Sequence, residues 1–261
     1  MDFETLETER DGPLLRVWLN RPERRNAISG TMLREVGDLF RSLETDFETR
    51  VVVLGGRGLS FCAGADRKPD PSPPREASTD RARRWLGQRG RRAVTAIQDC
   101  EAVTIARIHG HAIGGGACFA TACDFRISTI DAAITIPEVD LGIPLAWGGI
   151  PRLVREIGPA FTRELVLTCR PFDAHEAKAL GFVNRVVPRS ELESAVDGLA
   201  EQLARKAPSV VSATKRQVNE ALEDVASTVG AWADADLLGA AMRDPEARQA
   251  ARDYLATRTK R

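Results

Sequence analysis

Two short glycine-containing stretches are the residues of this sequence whose types and spacing suggest chemistry. Gly114, Gly115 and Gly116 stand between an apolar run and a segment of small residues, which predicts a tight turn from a strand into a helix. Glycine there costs backbone entropy, so the chain needs either a left-handed turn or close approach of a ligand to N–H groups at a helix N-terminus. Turn formation with close packing is enough to explain an isolated glycine triplet. A second stretch, F-C-A-G-A-D at 61–66, also follows an apolar strand. Two such loops can direct two N–H groups at one oxygen, so together they predict an oxyanion hole.

Strands that alternate with helices must position these loops. The sequence predicts strands at 14–19, 50–54, 102–108, 124–127, 132–136 and 183–187, and helices at 31–47, 80–100, 153–157, 160–167 and 174–180. The V-V-V-L run at 51–54 is continuously apolar, as expected of a strand covered on both faces. This alternation predicts an α/β fold.

The pattern becomes entirely helical after about residue 190. Helices are predicted at 190–206, 208–225, 228–243 and 245–257, with alanine, leucine and valine stripes typical of core or subunit contacts. We therefore divide the chain into a core at 1–190 that holds the site and a C-terminal helical region at 191–261.

Composition excludes several classes of function. The 261 residues can form one well-buried core with an appended subdomain. Equal numbers of basic and acidic residues, 37 of each, give no general attraction to nucleic acid or to a membrane surface. The acidic start lacks the apolar core of a signal peptide, and no apolar run is long enough to span a bilayer. Five cysteines without a C-x-x-C pair and three histidines without ligand spacing predict no metal site and a reducing cytoplasmic location.

The standard motifs of hydrolases, P-loop enzymes, zinc proteases and dinucleotide-binding enzymes are absent. One charged stretch does stand out, since the predicted helix at 80–100 carries arginine at 81, 83, 84, 89, 91 and 92. A solvated helix face is our preferred interpretation. The alternatives are an electropositive rim for a phosphate-bearing ligand and, less favoured, a nucleic-acid-binding surface.

Five ordered motifs resemble the crotonase superfamily, the enoyl-CoA hydratase/isomerase family. They are N-R-P-E-R-R-N-A-I at 20–28, F-C-A-G-A-D at 61–66, H-G-H-A-I-G-G-G-A at 109–117, P-E-V-D-L-G-I-P with W-G-G-I-P-R-L within 137–153, and L-G-F-V-N-R-V-V-P at 180–188. The resemblance implies a spiral of ββα units followed by a C-terminal α-helical oligomerisation region. It also implies homotrimers or dimers of trimers, an acyl-CoA thioester substrate and an enolate intermediate, with coenzyme A as part of the substrate and no other cofactor.

The resemblance also assigns roles to residues. The two oxyanion-hole donors fall on the backbone N–H groups of Ala65 and Gly115, and the acid/base falls on Glu138, which follows Pro137. Asp66 corresponds to a frequent family aspartate that we interpret as a loop brace or cap. The remaining substrate-binding residues implied are Ala63 and Gly114 beside the thioester, and Arg24, Arg25, Arg67 and Lys68 toward the phosphates of coenzyme A. For each of these four basic residues, a plain surface position is the alternative.

One departure from the family pattern bears on the reaction. The hydratases of the family place two glutamates across the substrate, and the position of the first one is Cys118 here. An apolar environment raises the pKa of a thiol, so we interpret Cys118 as a core residue. A third acidic position of some members is Ala146. With Glu138 as the single base, the sequence favours isomerase-like proton transfer over hydration. The alternative is a degenerate homologue that binds acyl-CoA without turnover. His109 is interpreted as packed, and His111 is the only second acid/base candidate nearby.

Overall fold

The computed structural model describes residues 2–66 and 79–259 as an α/β fold. Its strands are β1 (Leu6–Asp11), β2 (Leu14–Leu19), β3 (Val51–Gly56), β4 (Val103–Ile108), β5 (His111–Ile113), β6 (Phe125–Thr129), β7 (Ala133–Thr135), β8 (Phe172–Asp173) and β9 (Arg185–Val187). Its helices are α1 (Gly30–Ser42), α2 (Asp80–Gly87), α3 (Arg89–Asp99), α4 (Gly115–Ala122), α5 (Gly149–Thr168), α6 (Ala174–Ala179), α7 (Leu192–Ala204), α8 (Pro208–Val225), α9 (Asp234–Ala241) and α10 (Pro245–Thr259).

The strands form two sheets that advance together along the chain. The larger sheet has the order β1-β2-β3-β4-β6-β9, antiparallel between β1 and β2 and parallel elsewhere. In the smaller sheet, β5 lies between an isolated parallel bridge to Cys62 and a parallel pairing with β7. Each turn of the chain therefore adds a strand to one sheet and a short strand to the other before a helix returns. This is the predicted spiral of ββα units.

Both faces of the large sheet are covered, as the apolar run of β3 predicts. Val52 and Leu54 point into the main core with helices α1, α3 and α4. Val51 and Val53 point the other way, against Leu192 and Val196 of α7. The first C-terminal helix thus closes the second face of the sheet, whereas α8 and α9 bury none of their residues. The division at 190/191 stays a prediction.

Several elements differ from the sequence prediction, which also lacks the short strands β5 and β8. The strand 14–19 is not the first, because β1 precedes it at the sheet edge. Of β1 only Leu6 is buried, so its sequence L-E-T-E-R-D has no apolar alternation to reveal it. The arginine-rich segment forms two helices that meet at Gln88, whose side chain donates to the Trp232 carbonyl oxygen at 2.7 Å. The helices predicted at 153–157 and 160–167 are confirmed as two segments of α5, because Gly158 between them is non-helical, with φ at +71°, and the first segment begins earlier than predicted, at Gly149. No helix in the part of the chain that the structure describes is long and apolar enough to cross a membrane.

Candidate active site

The two glycine-containing loops lie side by side, which confirms that they meet. The Cys62 N–H donates to the His111 carbonyl at 2.9 Å, and the Ile113 N–H donates to the Cys62 carbonyl at 3.0 Å. Gly64, with φ at +84°, packs so closely that a Cβ there would lie 2.7 Å from the carbonyl oxygen of Ile113. A side chain at Gly64 would push the loops apart, so its absence has a direct structural reason.

The two amides predicted as oxyanion donors are available at this junction. Ala65 is exposed, and its neighbours Gly64 and Asp66 take the backbone hydrogen bonds to Ile28. Gly115 is the first residue of α4, where an N–H group has no partner within the helix and the helix dipole favours a negative charge. Neither amide donates to a backbone carbonyl within residues 2–66 and 79–259. Their function as an oxyanion hole stays a prediction that this geometry permits.

The Glu138 carboxyl lies directly beside this junction. A Cβ on Gly114 would lie 2.4 Å from Oε1 of Glu138, so the glycine makes room for the carboxyl group. Oε2 is buried without a hydrogen-bond partner among the described residues. Burial raises the pKa of Glu138 from 4.5 to about 7. A carboxyl group that is poorly solvated and half-ionised near neutral pH suits proton transfer at that pH.

Gly114 contacts the Glu138 carboxyl and directly precedes Gly115, whose amide is the predicted donor. Its backbone has φ of +51° and ψ of −112°, a combination that side chains rarely adopt, and its own N–H donates to the Thr135 carbonyl at 2.9 Å. The Ile143 N–H donates to the Glu138 carbonyl at 3.0 Å and closes the turn that presents the carboxyl. Two short segments after β5 and β7 therefore hold the Glu138 carboxyl next to Gly115.

Cys118 is one turn into α4 and is buried. Burial strongly raises the pKa of its thiol. A Cβ on Gly149 would lie 3.0 Å from its Sγ, which shows how tightly the thiol is enclosed. Such a thiol is neither a nucleophile nor a base for water at neutral pH.

The structure adds Trp147, which the sequence analysis did not single out. A Cβ on Gly115 would lie 2.3 Å from Cζ3 of the indole, and one on Gly90 of α3 would lie 2.1 Å from its Cε2. The indole also stacks with Phe119, with ring centroids 6.5 Å apart and planes at 28°. A glycine at the second position of an arginine-rich helix was the available signal, since Gly90 leaves the space that the ring fills.

The remaining predicted binding residues lie around the Ala65 loop. Asp66 pairs with Arg21 at 2.9 Å and Arg24 at 3.0 Å, which is the loop brace predicted for it. Arg25 is exposed, and its carbonyl accepts a hydrogen bond from the Ala63 N–H at 2.9 Å. Contacts of these residues with coenzyme A stay predictions. Arg67 and Lys68 lie outside the described residues.

The two histidines have different environments. His109 is buried, its Nε2 donates to the Gly58 carbonyl at 3.0 Å, and its Nδ1 accepts from Arg107 at 2.9 Å. Burial lowers the pKa of His109. It is a packed residue, as predicted. His111 is exposed and lies 3.0 Å from the Ser60 hydroxyl through Nδ1. The described residues contain no cluster of three metal-binding side chains.

Comparison with known proteins places this geometry in context. Residues 9–261 match the family model described as enoyl-CoA hydratase/isomerase. The peroxisomal Δ(3,5)-Δ(2,4)-dienoyl-CoA isomerase of Arabidopsis thaliana is 36% identical over 251 residues, which cover 90% of each chain. The short-chain-enoyl-CoA hydratase of Clostridium acetobutylicum is 34% identical over 224 residues, which cover 85% of this chain and 84% of that one.

Solved structures agree. The enoyl-CoA hydratase from Bacillus anthracis has a TM-score of 0.78 at 31% identity, with 89% of each chain covered. An enoyl-CoA hydratase from Mycobacterium avium subsp. paratuberculosis K-10 has a TM-score of 0.86 at 23% identity, covering 96% of this chain and 99% of that one, which supports the fold alone.

Proposed function

The chain belongs to the enoyl-CoA hydratase/isomerase family and is an enzyme of acyl-CoA thioesters, and from this premise we propose that it moves a double bond by proton transfer through Glu138. The reaction is isomerase-like, from a 3-enoyl-CoA to a 2-enoyl-CoA. The observation that carries the proposal is the buried Glu138 carboxyl beside Gly114 and the adjacent Gly115 amide.

The steps follow from the arrangement of donors and base. The thioester oxygen accepts hydrogen bonds from the N–H groups of Ala65 and Gly115. The Glu138 carboxylate removes a proton from the α-carbon, and the electron pair of that C–H bond passes into a dienolate whose negative charge rests on the thioester oxygen. The Glu138 carboxylic acid then returns the proton to the γ-carbon, so the base is regenerated. Two preorganised donors at the oxygen stabilise the charge as it develops, and loss of one donor typically costs about 2.7–4 kcal/mol.

Hydration needs a second group that positions and deprotonates water. The position that would supply it holds the buried thiol of Cys118, whose pKa is raised by burial, and Ala146 supplies no carboxylate. The proposed steps therefore use one carboxyl group. Coenzyme A enters as part of the substrate, and the steps use no other cofactor. We place its phosphates near Arg24 and Arg25, beside the Ala65 loop.

The C-terminal helices support self-association as a homotrimer or a dimer of trimers. Apolar side chains exposed along this region are Val210, Val218, Val225, Val229, Trp232, Leu237 and Met242. Exposed apolar surface of this kind is typical of subunit interfaces. Sedimentation equilibrium should give a mass of three or six chains, and a single-chain mass at micromolar concentration would contradict this part of the proposal.

Product analysis tests the reaction. The unmodified protein is incubated separately with a short 3-enoyl-CoA and the matching 2-enoyl-CoA, and products are separated by chromatography. We expect 2-enoyl-CoA from the first substrate and little or no 3-hydroxyacyl-CoA from either. Robust hydration of the 2-enoyl-CoA would overturn the single-base reaction. Absence of turnover with thioester still bound, measured by calorimetry, would instead indicate the degenerate binding homologue.

A further inference from the structure

The indole of Trp147 packs against Gly115, whose amide is the predicted oxyanion donor, next to the glycine that packs against the Glu138 carboxyl. Two consecutive glycines contact these two side chains: Gly114 packs against the Glu138 carboxyl, and Gly115 packs against Cζ3 and Cη2 of Trp147. A thioester whose oxygen lies at the Gly115 amide therefore has both the Glu138 carboxyl and the Trp147 indole close to its first carbons.

We propose that Trp147 is a specificity-determining wall that restricts the site to acyl groups without a branch at the α- or β-carbon. The inference rests on the proposed function for the location of the thioester oxygen. A flat acyl group held at this amide already has the carboxyl and the aromatic edge as close neighbours, so an added methyl group must displace one of them. The C–H edge of an aromatic ring also carries partial positive charge, so this edge does not oppose the negative charge of an enolate.

The ring has little freedom to move aside. The Cδ2–Cε2 bond shared by the two fused rings lies over Gly90, where a Cβ would come within 2.1 to 2.3 Å of Cε2, Nε1 and Cδ2. Phe119 stacks on the indole, and the Ile28 Cδ1 lies at the same place on Gly115, 3.1 Å from where a Cβ would be. The wall is thus enclosed by α3, α4 and the loop before α1.

The backbone of Trp147 is held in an unfavourable conformation. Its φ is +63°, and the φ of Gly148 is +69°, so two consecutive residues are left-handed. For a residue with a side chain this costs about 1–2 kcal/mol. Strain of that size persists only where surrounding contacts enforce it.

Arg152 and Asp234 supply those contacts. Arg152 is buried, and its guanidinium donates to the carbonyl oxygens of Trp147 at 3.4 Å and Gly148 at 3.1 Å. No carboxylate lies within ion-pair distance of Arg152 in residues 2–66 and 79–259, so its hydrogen bonds go to this turn and to Gln98 and Thr95. From the other side, the Gly148 N–H donates to Oδ2 of Asp234 at 2.7 Å.

Asp234 begins α9, so the C-terminal region reaches back to the wall of the site. A second contact of the same kind exists at Gly142, where a Cβ would lie 2.0 Å from the Ala247 carbonyl oxygen of α10. Asp234 and Arg152 are accordingly positioning residues that act through Trp147. Substitution of Asp234 or Arg152 should therefore alter the preference among acyl groups more than it alters kcat for the reaction at Glu138.

Binding and turnover of paired thioesters test the proposal. Wild type, Trp147→Ala and Trp147→Phe are compared with straight-chain acyl-CoA and its 2-methyl and 3-methyl analogues, using calorimetry for saturated thioesters and kcat/KM for the 3-enoyl forms. We expect Trp147→Ala to improve the branched-to-straight ratio at least tenfold, since one methyl group in a pocket discriminates by about 10- to 200-fold. Trp147→Phe should give a smaller change in the same direction. Trp85→Ala, which removes an exposed tryptophan of α2, is the matched control.

Asp234→Asn separates positioning from stability. It should raise KM for the straight-chain substrate and relax the branched-to-straight ratio, with kcat changed less than KM. If Trp147→Ala and Trp147→Phe lower kcat/KM and affinity by the same factor for straight-chain and branched substrates, the branched-to-straight ratio stays unchanged. Trp147 is then only structural, and the proposal is wrong. Because saturated thioesters are bound but not isomerised, a changed ratio of dissociation constants supports the wall even if no 3-enoyl-CoA is turned over. Absence of 3-enoyl-CoA turnover would count against the proposed function alone.

Discussion

Replacement of Glu138 by glutamine should make the stability of this protein depend differently on pH. Folding transfers the carboxyl to a place where Oε2 is buried without a partner among the described residues, and burial raises its pKa from 4.5 to about 7. Between these two values the folded state binds more protons at this group than the unfolded state does. The stability associated with the neutral carboxyl is therefore fully present below pH 4.5 and is lost as the pH rises through about 7.

The size of the effect follows from the two pKa values. At about 1.4 kcal/mol per pH unit, the rise from 4.5 to about 7 corresponds to about 3 kcal/mol of unfolding free energy. Glutamine has nearly the same shape but does not ionise. The variant should thus gain up to about 3 kcal/mol relative to wild type between pH 4.5 and pH 8, whatever constant offset the amide introduces.

Urea denaturation of both proteins at several pH values from 4.5 to 8 measures this difference directly. Glu44→Gln, which replaces an exposed carboxylate by the same amide, is the matched control for loss of one acidic side chain. If the difference between Glu138→Gln and wild type stays constant within about 0.5 kcal/mol over this range, the ionised carboxyl is not disfavoured by folding. Glu138 would then not be a base with a pKa near neutral pH.

Three further predictions concern the same site. The kcat/KM for isomerisation should rise as the pH passes through about 7 and then level off, because Glu138 must be ionised to accept a proton, and a flat profile would contradict this. Cys118→Ser should leave kcat within about threefold of wild type, since an enclosed thiol with a raised pKa takes no part in the steps, and a hundredfold loss would restore a chemical role for it. Asp66→Ala breaks the ion pairs with Arg21 and Arg24, so urea denaturation should show a loss of about 1–3 kcal/mol together with a lower kcat/KM, and an unchanged midpoint would remove its role as a brace.

The sequence was informative where a local pattern has one physical cause. The apolar run of β3 is covered on both faces, and the two glycine loops meet because parallel strands place their carboxyl ends at one edge of the fold. Glu138 was found through the family motif and not through any property visible in its own neighbourhood. The raised pKa that suits Glu138 to its proposed role arises from burial, which only the folded chain reveals.

Other features depend on contacts between distant segments and leave no local pattern. The edge strand β1 is nearly all polar, so nothing in its sequence distinguishes it from a loop. The indole of Trp147 is held between Gly90 and Gly115, and the backbone of its turn is held by Arg152 and Asp234. These four residues come from four separate helices. Each residue is ordinary in its own segment. Their combination is set by tertiary packing alone.

The most direct test of the account follows the proton in heavy water. Wild type and Glu138→Gln are each mixed with a short 3-enoyl-CoA in D2O, and the product is analysed by NMR. The account predicts that wild type forms 2-enoyl-CoA that keeps mainly substrate hydrogen at the γ-carbon, because Glu138 returns the proton that it removed, and that the variant binds the thioester but is about a hundredfold to ten-thousandfold slower. Equal rates in the two proteins, or 3-hydroxyacyl-CoA as the main early product of wild type, would contradict Glu138 as the single base.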